Sequence, residues 1–421
     1  MAYTYDISKS TNDNRSTYCL TACHLLFNII NLFLSTFLVA HIYSLTTDLY
    51  QYILNVGLYQ LSTYGTMFVA YFLFSFIVDK TNRIWVYRIG NIFMVALVII
   101  TIFYGEDLAN VIVLAGVCYG LALSAYYASY NVLKQEMVSR KKITNYTFLL
   151  RIFTKSISVI CPFLLGMLID VSTFSTIAIV VFFIAVIQII ISFFIKAQKP
   201  ENSDFKVLGF FKRLKENKPL RKKLNSIYLI SVFYAFNTIL SMLLNVNIMM
   251  QFGSNFTLGF ITSIIALLSI LILIVFNKFT KIGKRTWVFI LGACLTAVSA
   301  LVFAFVPNYI TLIAYNLIFV VNEAIVGTIF EAIRNKNLKE AGFYQDIAEH
   351  QSVVESIFQI VRIITFVLLI CISLFKNYLI FQISFGVFAL LFLVMNILIL
   401  LYEQKERKEI EQEETNSLNK Q

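Results

Sequence analysis

Long apolar stretches recur along the whole chain, and charged residues, proline or glycine bound each of them. Since about 20 helical residues cross the roughly 30 Å hydrocarbon layer of a bilayer, each stretch is long enough for one membrane-spanning helix. Twelve spans are predicted, at residues 18–44, 53–77, 84–104, 109–132, 147–169, 173–195, 225–250, 256–277, 286–306, 309–332, 352–374 and 378–402. The pattern therefore predicts an all-α, polytopic membrane protein.

The one long connection between predicted spans lies between the sixth and the seventh, at residues 196–224, and holds 10 basic and 3 acidic residues. It divides the chain into an N-terminal six-helix half at 1–195 and a C-terminal six-helix half at 225–402. A charged tail at 403–421 follows and is predicted to extend the last helix. The sequence thus predicts two sets of six spans joined by a basic linker.

Part of this linker is predicted to form an amphipathic helix. Ser203 or Asp204 is a candidate N-cap for it. One face of the helix would be apolar and the other basic, with Val207, Phe210, Phe211 and Leu214 opposite Lys206, Lys212, Arg213 and Lys215. Such a helix is expected to lie on the inner surface of the membrane.

Composition and charge restrict the class of protein further. Apolar residues make up 59% of the 421 residues and charged residues 14%, against about 25% charged in a soluble domain, which excludes a soluble enzyme. With the N-terminus inside, the 34 lysines and arginines all fall in predicted cytoplasmic segments except Arg362 and Lys376. The predicted external loops carry acidic residues instead, namely Asp48, Glu106, Asp107 and Asp170. This bias predicts a multi-pass protein of the cell membrane with both termini in the cytoplasm.

The net charge of +11 is therefore interpreted as a sign of topology and of attraction to anionic lipids of the inner leaflet, not of nucleic-acid binding. The sequence contains no phosphate-binding loop and no metalloprotease or hydrolase motif. No ATP site, cofactor or metal is expected, and the chain is not predicted to be an enzyme.

An internal repeat relates the two halves. Residues 83–90 recur 202 positions later as residues 285–292, with Arg, Trp and Gly at matching places. The chain has only two tryptophans, Trp85 and Trp287, and both belong to this repeat. A tryptophan at the membrane surface is also typical of an interfacial aromatic belt. The match nevertheless favours duplication of a six-helix unit.

Polar stripes on the first helix of each half support the repeat. The first span carries His24, Asn28, Asn31 and Ser35 on one helical face. The seventh span carries Tyr234, Asn237 and Ser241, each 206 positions after a member of the first stripe. Matching stripes are typical of a transporter whose substrate lies between its repeats near the midplane. The alternative is that these polar groups only hold helices together. His24 is either a proton relay or a hydrogen-bonded structural histidine.

The segment from Ser75 to Arg83 resembles the loop motif of the major facilitator superfamily, G-x-x-x-D-R/K-x-G-R. Asp79, Lys80 and Arg83 match the motif, whereas Ser75 and Asn82 replace its two glycines. The resemblance implies the major facilitator fold of two pseudo-symmetric six-helix halves. It also implies that the first, fourth, seventh and tenth spans line the cavity, which adds Tyr127 and Asn131 to the candidate lining.

Two further resemblances cover only short segments of the chain. Cys161 to Gly166, with Pro162, loosely resembles the G-P-x-x-G motif of drug/proton antiporters, and the departure weakens that assignment. The stretch from Glu355 to Arg362, together with Asn131, is similar to the YQGE branch of the superfamily.

Two charged residues are predicted to lie deep in the membrane. Glu323 is 11 residues from Arg334, and Arg362 is 11 residues from Gln351, so both lie about 16 Å from the cytoplasmic end at 1.5 Å per residue. Because charges at this depth are costly, Glu323 and Arg362 are predicted to pair. Either Glu323 exchanges a proton and Arg362 tunes it, or the two form a permanent structural bridge.

Charged residues at the cytoplasmic ends of the spans are candidates for a gate. Asp79, with Lys80 and Arg83, is placed to bind a neighbouring helix start and a base in the first half. Glu331, Arg334 and Glu355 are predicted to form the corresponding network in the second half.

Together these features predict a secondary active transporter of a small amphipathic organic solute, working by alternating access. Proton coupling through Glu323 is expected, export is favoured over uptake, and the protein is expected to be a monomer. A flippase for a lipid or lipid-linked precursor and a nutrient uptake symporter are the alternatives within transport. From another class, a non-transporting receptor or assembly factor could use the same fold.

Overall fold

The computed structural model describes residues 14–46, 48–138, 143–196, 206–279, 285–340 and 347–418, and these residues form helices and short connections without a strand. The elements are α1 (Asn14–Leu32), a π-helix (Phe33–Phe37), α2 (Leu38–Ser44), α3 (Leu49–Lys80), α4 (Arg83–Tyr104), a 3₁₀ helix (Gly105–Val111), α5 (Ile112–Met137), α6 (Ile143–Val171), α7 (Phe174–Ser192), α8 (Val207–Glu216), α9 (Lys218–Tyr234), α10 (Phe236–Phe252), α11 (Asn255–Phe279), α12 (Arg285–Phe305), α13 (Tyr309–Glu340), α14 (Ile347–Leu374) and α15 (Tyr378–Leu418).

Eleven helical segments of the described chain are long and apolar enough to cross a membrane. One of them, Arg83–Lys134, is 52 residues long and contains both α4 and α5, which the 3₁₀ helix separates. Counted as two, it completes the twelve predicted spans. Spans one to six are therefore α1 to α2, α3, α4, α5, α6 and α7. Spans seven to twelve are α9 to α10, α11, α12, α13, α14 and α15.

The first span of each half is not a continuous α-helix. Span one is interrupted by the π-helix Phe33–Phe37, which contains Ser35. Span seven is interrupted at Ala235, between α9 and α10, where the Thr238 amide bonds the Ala235 carbonyl at 3.2 Å instead of a carbonyl four residues back. Such irregular turns in apolar helices are frequent at functional sites.

Polar residues in the short connections start the helices. Asp48 caps α3 by accepting a bond from the Tyr50 amide, and Asn82 caps α4 by accepting one from the Ile84 amide. Both bonds are 3.2 Å long. Because the first amides of a helix lack partners within it, these side chains fix where the spans begin. Asn82 therefore has a structural use at a position where the loop motif usually has glycine.

By contacts, the chain separates into two compact units. Unit 1 comprises Met1–Phe205, Ile248–Ala266 and Phe366–Leu374, and unit 2 comprises Lys206–Asn247, Leu267–Thr365 and Phe375–Gln421. Unit 1 thus includes the end of span seven, the start of span eight and the end of span eleven. The predicted halves at 1–195 and 225–402 follow the sequence repeat, and the contact units differ from them at these segments.

Unit 1 is packed through small residues and tyrosines. A Cβ added to Gly116 or Gly120 of α5 would meet backbone and side chains of α3, and one added to Gly90 of α4 would lie 2.9 Å from the Tyr126 amide. These glycines let the three helices approach closely, as small residues do in membrane proteins. The end of span eleven joins this unit through Phe366, whose ring stacks on Tyr64 at 5.6 Å.

Unit 2 has an aromatic core and a buried amide pair. Tyr315 and Phe385 pack edge to face at 5.1 Å, and the Asn396 side chain donates to Asn322 Oδ1 at 3.0 Å. Both asparagines are buried, so their mutual bond offsets the cost of placing amides among apolar side chains.

The linker contains a helix, α8, as predicted, but its surroundings differ from the expectation. Lys206 precedes its first residue, while positions 203 and 204, the predicted caps, lie outside the described residues. Phe210 and Leu214 are fully buried inside unit 2, whereas Leu208 is exposed. Part of the apolar face predicted to lie on the membrane therefore packs on the protein itself. At the other end of the chain, α15 continues through the predicted tail as far as Leu418.

The two tryptophans occupy corresponding places. Trp85 lies in the first turn of α4 and Trp287 in the first turn of α12, and their side chains are 57% and 77% exposed. Exposure of both rings at a helix start is what an interfacial position requires.

Candidate functional site

Glu323 of span ten is bound to the polar stripe of span seven. Its Oε1 accepts a hydrogen bond from Tyr234 Oη at 3.1 Å and another from Asn237 Nδ2 at 3.3 Å. Ser241 in turn donates to Asn237 Oδ1 at 3.3 Å. The three predicted stripe residues therefore belong to one hydrogen-bond network, in which Tyr234 donates to the carboxylate directly and Ser241 reaches it through Asn237.

Glycine at position 327 leaves room for this bond. Gly327 lies one turn after Glu323 on α13, and a Cβ there would be 3.0 Å from Glu323 Oε1 and 3.1 Å from Tyr234 Oη. Glycine inside a helix costs about 1 kcal/mol relative to alanine. The close approach of the carboxylate and the phenol gives a physical reason for it here.

Arg362 of span eleven is bound to the same part of span seven. Its Nε donates to Thr238 Oγ1 at 3.0 Å, and its Nη1 donates to Gln359 Oε1 at 3.4 Å. The guanidinium also lies 5.4 Å from the centre of the Phe358 ring. Hydrogen bonds and an aromatic face are the partners that make a cation tolerable inside a membrane.

The two deep charges thus meet adjacent residues of one helix. Glu323 binds Asn237, and Arg362 binds Thr238, immediately after the break at Ala235. Sequence reasoning named Tyr234, Asn237 and Ser241 but missed Thr238. The signal was present, because Thr238 follows Tyr234 by four residues and so belongs to the same helical face. The direct pairing of Glu323 with Arg362 stays a prediction.

The first half contains a second polar cluster, between spans one and four. His24 Nδ1 shares a 2.7 Å hydrogen bond with Tyr126 Oη, and the imidazole stacks on the Tyr130 ring at 4.2 Å. Asn28 donates to the His24 carbonyl at 2.6 Å. In this structure the imidazole is therefore hydrogen-bonded and stacked. The Asn28 amide group bonds a backbone carbonyl of its own helix.

Asn31 extends this cluster along span one. Its Oδ1 accepts a 2.7 Å bond from Tyr119 Oη of α5. Tyr127 lies edge-on to Phe27 at 5.7 Å and, like Asn131, is only partly buried. The first half thus joins spans one and four through polar stripe residues, as the second half joins spans seven and ten through Glu323.

The predicted gate residues of the first half lie at the turn between α3 and α4. Asp79 is the last residue but one of α3, and Arg83 is the first of α4. The ammonium group of Lys80 lies 4.2 Å from the centre of the Phe76 ring. All three charges therefore lie at the same turn, where span two ends and span three begins.

In the second half, a histidine that sequence reasoning missed lies among the gate residues. His350 is fully buried, and its Nε2 shares a 3.0 Å hydrogen bond with the Arg334 carbonyl while its Nδ1 shares one of 3.2 Å with Tyr228 Oη. The Phe210 ring of α8 packs on it at 6.4 Å. No local pattern could reveal His350, because Tyr228 is 122 residues away. Glu331 is exposed and Glu355 partly buried, on the two helices that flank this contact.

Asp170, expected only to be an acidic residue of an external loop, binds the start of span eight within unit 1. Its Oδ2 accepts bonds from Ser254 Oγ at 2.8 Å and from the Phe256 amide at 2.9 Å. Its Oδ1 accepts bonds from the Asn255 amide at 3.2 Å and from Asn255 Nδ2 at 3.1 Å. A carboxylate is favoured at a helix N-terminus by the unpaired amides and the helix dipole. Asp170 therefore ties the end of span five to the start of span eight.

Replacing Asp170 by alanine is expected to loosen the first turn of α11. Loss of a helix-capping carboxylate costs about 1 kcal/mol, or about fivefold in the local opening equilibrium. In Asp170→Ala, hydrogen exchange of residues 253–260, followed by mass spectrometry, should accelerate by about this factor. The exchange rate of Asp170→Asn should lie between those of wild type and Asp170→Ala, because one acceptor oxygen remains. Asp48→Asn, which alters the cap of α3 only, is the matched control. Equal exchange in Asp170→Ala and wild type would contradict the link.

Taken together, these helices define a polytopic helical membrane protein. A sequence profile of the Major Facilitator Superfamily matches residues 19–349, and the chain belongs to that family. Among curated proteins, it is similar to the uncharacterized protein YqgE of Bacillus subtilis (strain 168), with 24% identity over 200 residues. That alignment covers 44% of this chain and 46% of the relative, so the chain matches about half of the relative's length.

Several solved transporter structures share this fold. A peptide transporter POT in complex with sulfate has a TM-score of 0.70 at 12% identity, covering 93% of this chain and 94% of that one. The nucleoside transporter NupG has a TM-score of 0.64 at 13% identity, covering 92% and 100%. The human organic anion transporter MFSD10 (TETRAN) has a TM-score of 0.60 at 14% identity, covering 91% and 99%. At these identities the likeness concerns the fold alone.

Proposed function

We propose that this protein is a secondary active transporter of a small amphipathic organic solute, that it works by alternating access, and that Glu323 couples the cycle to protons. The observation that supports this most directly is the binding of Glu323 and Arg362 to adjacent residues of span seven. Charged groups inside a membrane are costly and are typical of ion and proton pathways.

The geometry suggests how a proton would act. Ionised Glu323 only accepts hydrogen bonds, and in this state it receives those of Tyr234 and Asn237. Protonated Glu323 is itself a donor and a weaker acceptor, so both bonds weaken. Tyr234 ends α9 and Asn237 lies in α10, so the two bonds attach on either side of the break at Ala235. The charge of Glu323 therefore biases the angle between α9 and α10. A ligand shifts a conformational equilibrium only through such a difference between states.

The solute class follows from the chemistry of the two clusters. The hydroxyl and amide groups lie among aromatic rings, as with Asn31 bonded to Tyr119 and Tyr127 edge-on to Phe27. Sites of this kind suit an organic molecule with both polar and apolar parts. The names of the structural neighbours mention nucleosides, organic anions and peptides, which have this character. Export remains favoured over uptake in the proposal.

The proposal also includes the cell membrane as location, both termini in the cytoplasm and a gate at the basic ends of the spans. In that arrangement Asp79, Lys80 and Arg83 serve the first half, and Glu331, Arg334 and Glu355 serve the second. The uneven distribution of lysine and arginine along the chain supports this orientation.

Flux driven by a pH gradient tests the function directly. Purified protein in proteoliposomes would be screened with a panel of labelled amphipathic solutes, including ethidium, rhodamine 6G and an aromatic carboxylate. One pH unit supplies about 1.4 kcal/mol per proton, so one-to-one coupling sustains accumulation of a transported solute of about tenfold. Robust flux that ignores the pH gradient would exclude proton coupling, and flux equal to that of protein-free vesicles for every solute would count against the transporter itself.

A further inference from the structure

A groove at the basic end of spans seven and twelve, within unit 2, is not used by the proposed transport mechanism. It has a volume of about 220 Å³ and lies between α9 and α15. Eight residues line it, namely Lys223, Ser226, Leu229, Ile230, Leu398, Leu401, Tyr402 and Lys405. Basic, hydroxyl and apolar groups are thus combined in one concave surface.

These groups are arranged in layers along the helix axes. Lys223 precedes Leu229 by six residues, and Lys405 follows Leu398 by seven, so at 1.5 Å per residue each lysine is displaced from its apolar partner by about 9–10.5 Å along the helix axis. On α9, Ser226 lies between the two layers; on α15, Tyr402 is buried next to the exposed Leu401, which lies four residues, or about 6 Å along the axis, from Lys405. The headgroup region of a bilayer is about 5–7 Å thick on each side. Lysines at the rim therefore reach headgroup depth when the leucines lie in the hydrocarbon.

The apolar layer is open to the lipid. Leu229 is 48% exposed and Leu401 is 55% exposed. The hydrocarbon chain of a bound ligand could therefore leave the groove and continue along the surfaces of both helices. The volume is below the roughly 300–1,000 Å³ of a pocket that encloses a whole small molecule. The groove therefore suits a ligand that places only its polar end and the first part of its chains inside.

The local charge is positive. Lys218, Arg221, Lys222 and Lys223 all lie in the first two turns of α9, which carry no acidic residue. On α15, Glu403 is partly buried next to Tyr402, so it offsets part of this charge, and Lys405, on the groove, adds a fifth basic residue. Basic residues at membrane depth attract anionic headgroups, and long lysine side chains reach the surface while their stems cover apolar neighbours.

We propose that this groove binds an anionic phospholipid, with the phosphate between Lys223 and Lys405 and the acyl chains against Leu229 and Leu401. In the proposed orientation the lipid belongs to the cytoplasmic leaflet. The binding site does not depend on the solute or on proton coupling, so it stands or falls separately from the transport proposal.

Native mass spectrometry of the full-length protein tests this site, with phosphatidylglycerol and phosphatidylcholine as probes. Two lysine charges at a membrane surface correspond to about 30-fold in affinity. The double variant Lys223→Gln/Lys405→Gln should therefore retain phosphatidylglycerol about 10- to 30-fold less than wild type, with phosphatidylcholine retention unchanged. The control is Lys222→Gln/Lys408→Gln, which removes exposed charges from the same two helices and should change retention less than threefold. Equal losses in both double variants would overturn the proposal, because they would indicate attraction by net charge alone.

Two further arms separate a lipid from a free phosphate and keep the test independent of folding. Leu401→Trp fills the open side of the groove and should displace phosphatidylglycerol, whereas Ile397→Trp, on another exposed part of α15, should not. Soluble glycerol phosphate should fail to compete with the lipid at equal concentration. Full retention in Leu401→Trp, or complete displacement by glycerol phosphate, would contradict a lipid site.

Discussion

The variant Glu323→Gln is expected to lose proton-driven accumulation of the solute while retaining its folded state and solute exchange. Glutamine keeps an oxygen that accepts the bonds from Tyr234 and Asn237, but it neither ionises nor releases a proton. Under a gradient of one pH unit, accumulation should fall from about tenfold to about one, because the free energy of the proton is no longer coupled. Exchange of labelled for unlabelled solute requires no net protonation and should continue.

Asp107→Asn is the control for Glu323→Gln, because Asp107 is an exposed acid of the 3₁₀ helix with no place in the proposed site. It should accumulate solute as the wild type does. The alternative role of Glu323, a permanent bridge to Arg362, predicts a different result. In that case Glu323→Gln leaves a partly buried cation without its counter-charge and reduces the yield of folded protein, and wild-type flux does not respond to the pH gradient.

Replacement of Gly259 by leucine is expected to disrupt the crossing of spans five and eight. A Cβ on Gly259 would collide with the Pro162 carbonyl, and one on Gly166 would collide with the Asn255 carbonyl. The same crossing contains the 3.0 Å bond from the Phe163 amide to Ser263 Oγ. Because backbone atoms cannot move aside as a flexible side chain can, overpacking here should cost about 1–3 kcal/mol or more. The measurement is the fraction of monodisperse protein that survives heating in detergent.

Gly65→Leu is the matched control for Gly259→Leu, since a Cβ on Gly65 of α3 meets nothing within 4 Å. Removing a helix-interior glycine from an open position should be neutral or slightly stabilising. A graded series, with Gly259→Ala less damaging than Gly259→Leu, would confirm that the distance between the helices limits stability. Equal heat resistance of Gly259→Leu and Gly65→Leu would show that the crossing tolerates side chains.

The number of spans could be predicted from the sequence because one physical quantity, the thickness of the hydrocarbon layer, sets the length of every apolar stretch. The π-helix at Phe33–Phe37 could not. A helical face is inferred by assuming 3.6 residues per turn, and the π-helix places Ser35 in a wider turn than that assumption allows. The predicted stripe from His24 to Asn31 lies in regular helix, where the assumption holds.

The candidate site was predictable to the extent that its residues share one helix. Tyr234 and Asn237 were found as a stripe, and Glu323 was found by its depth, but the bonds between them depend on which helices are neighbours. Asp170 shows the same limit, because nothing in the local sequence identifies residues 254–256 as the partner of a carboxylate 84–86 positions earlier. Long-range polar contacts follow from helix packing, which one sequence without its fold does not specify.

The exposed tryptophans at the starts of α4 and α12 allow the direction in which the protein inserts into vesicles to be measured from its intrinsic fluorescence. In the proposed orientation, spans three and nine both begin on the cytoplasmic side, so both indoles are expected to emit from that surface, and the chain has no third tryptophan. An impermeant quencher outside sealed vesicles therefore extinguishes fluorescence only from molecules inserted with that surface outward. The quenched share of the emission measures the proportion of the two insertion directions in a preparation, without any attached dye.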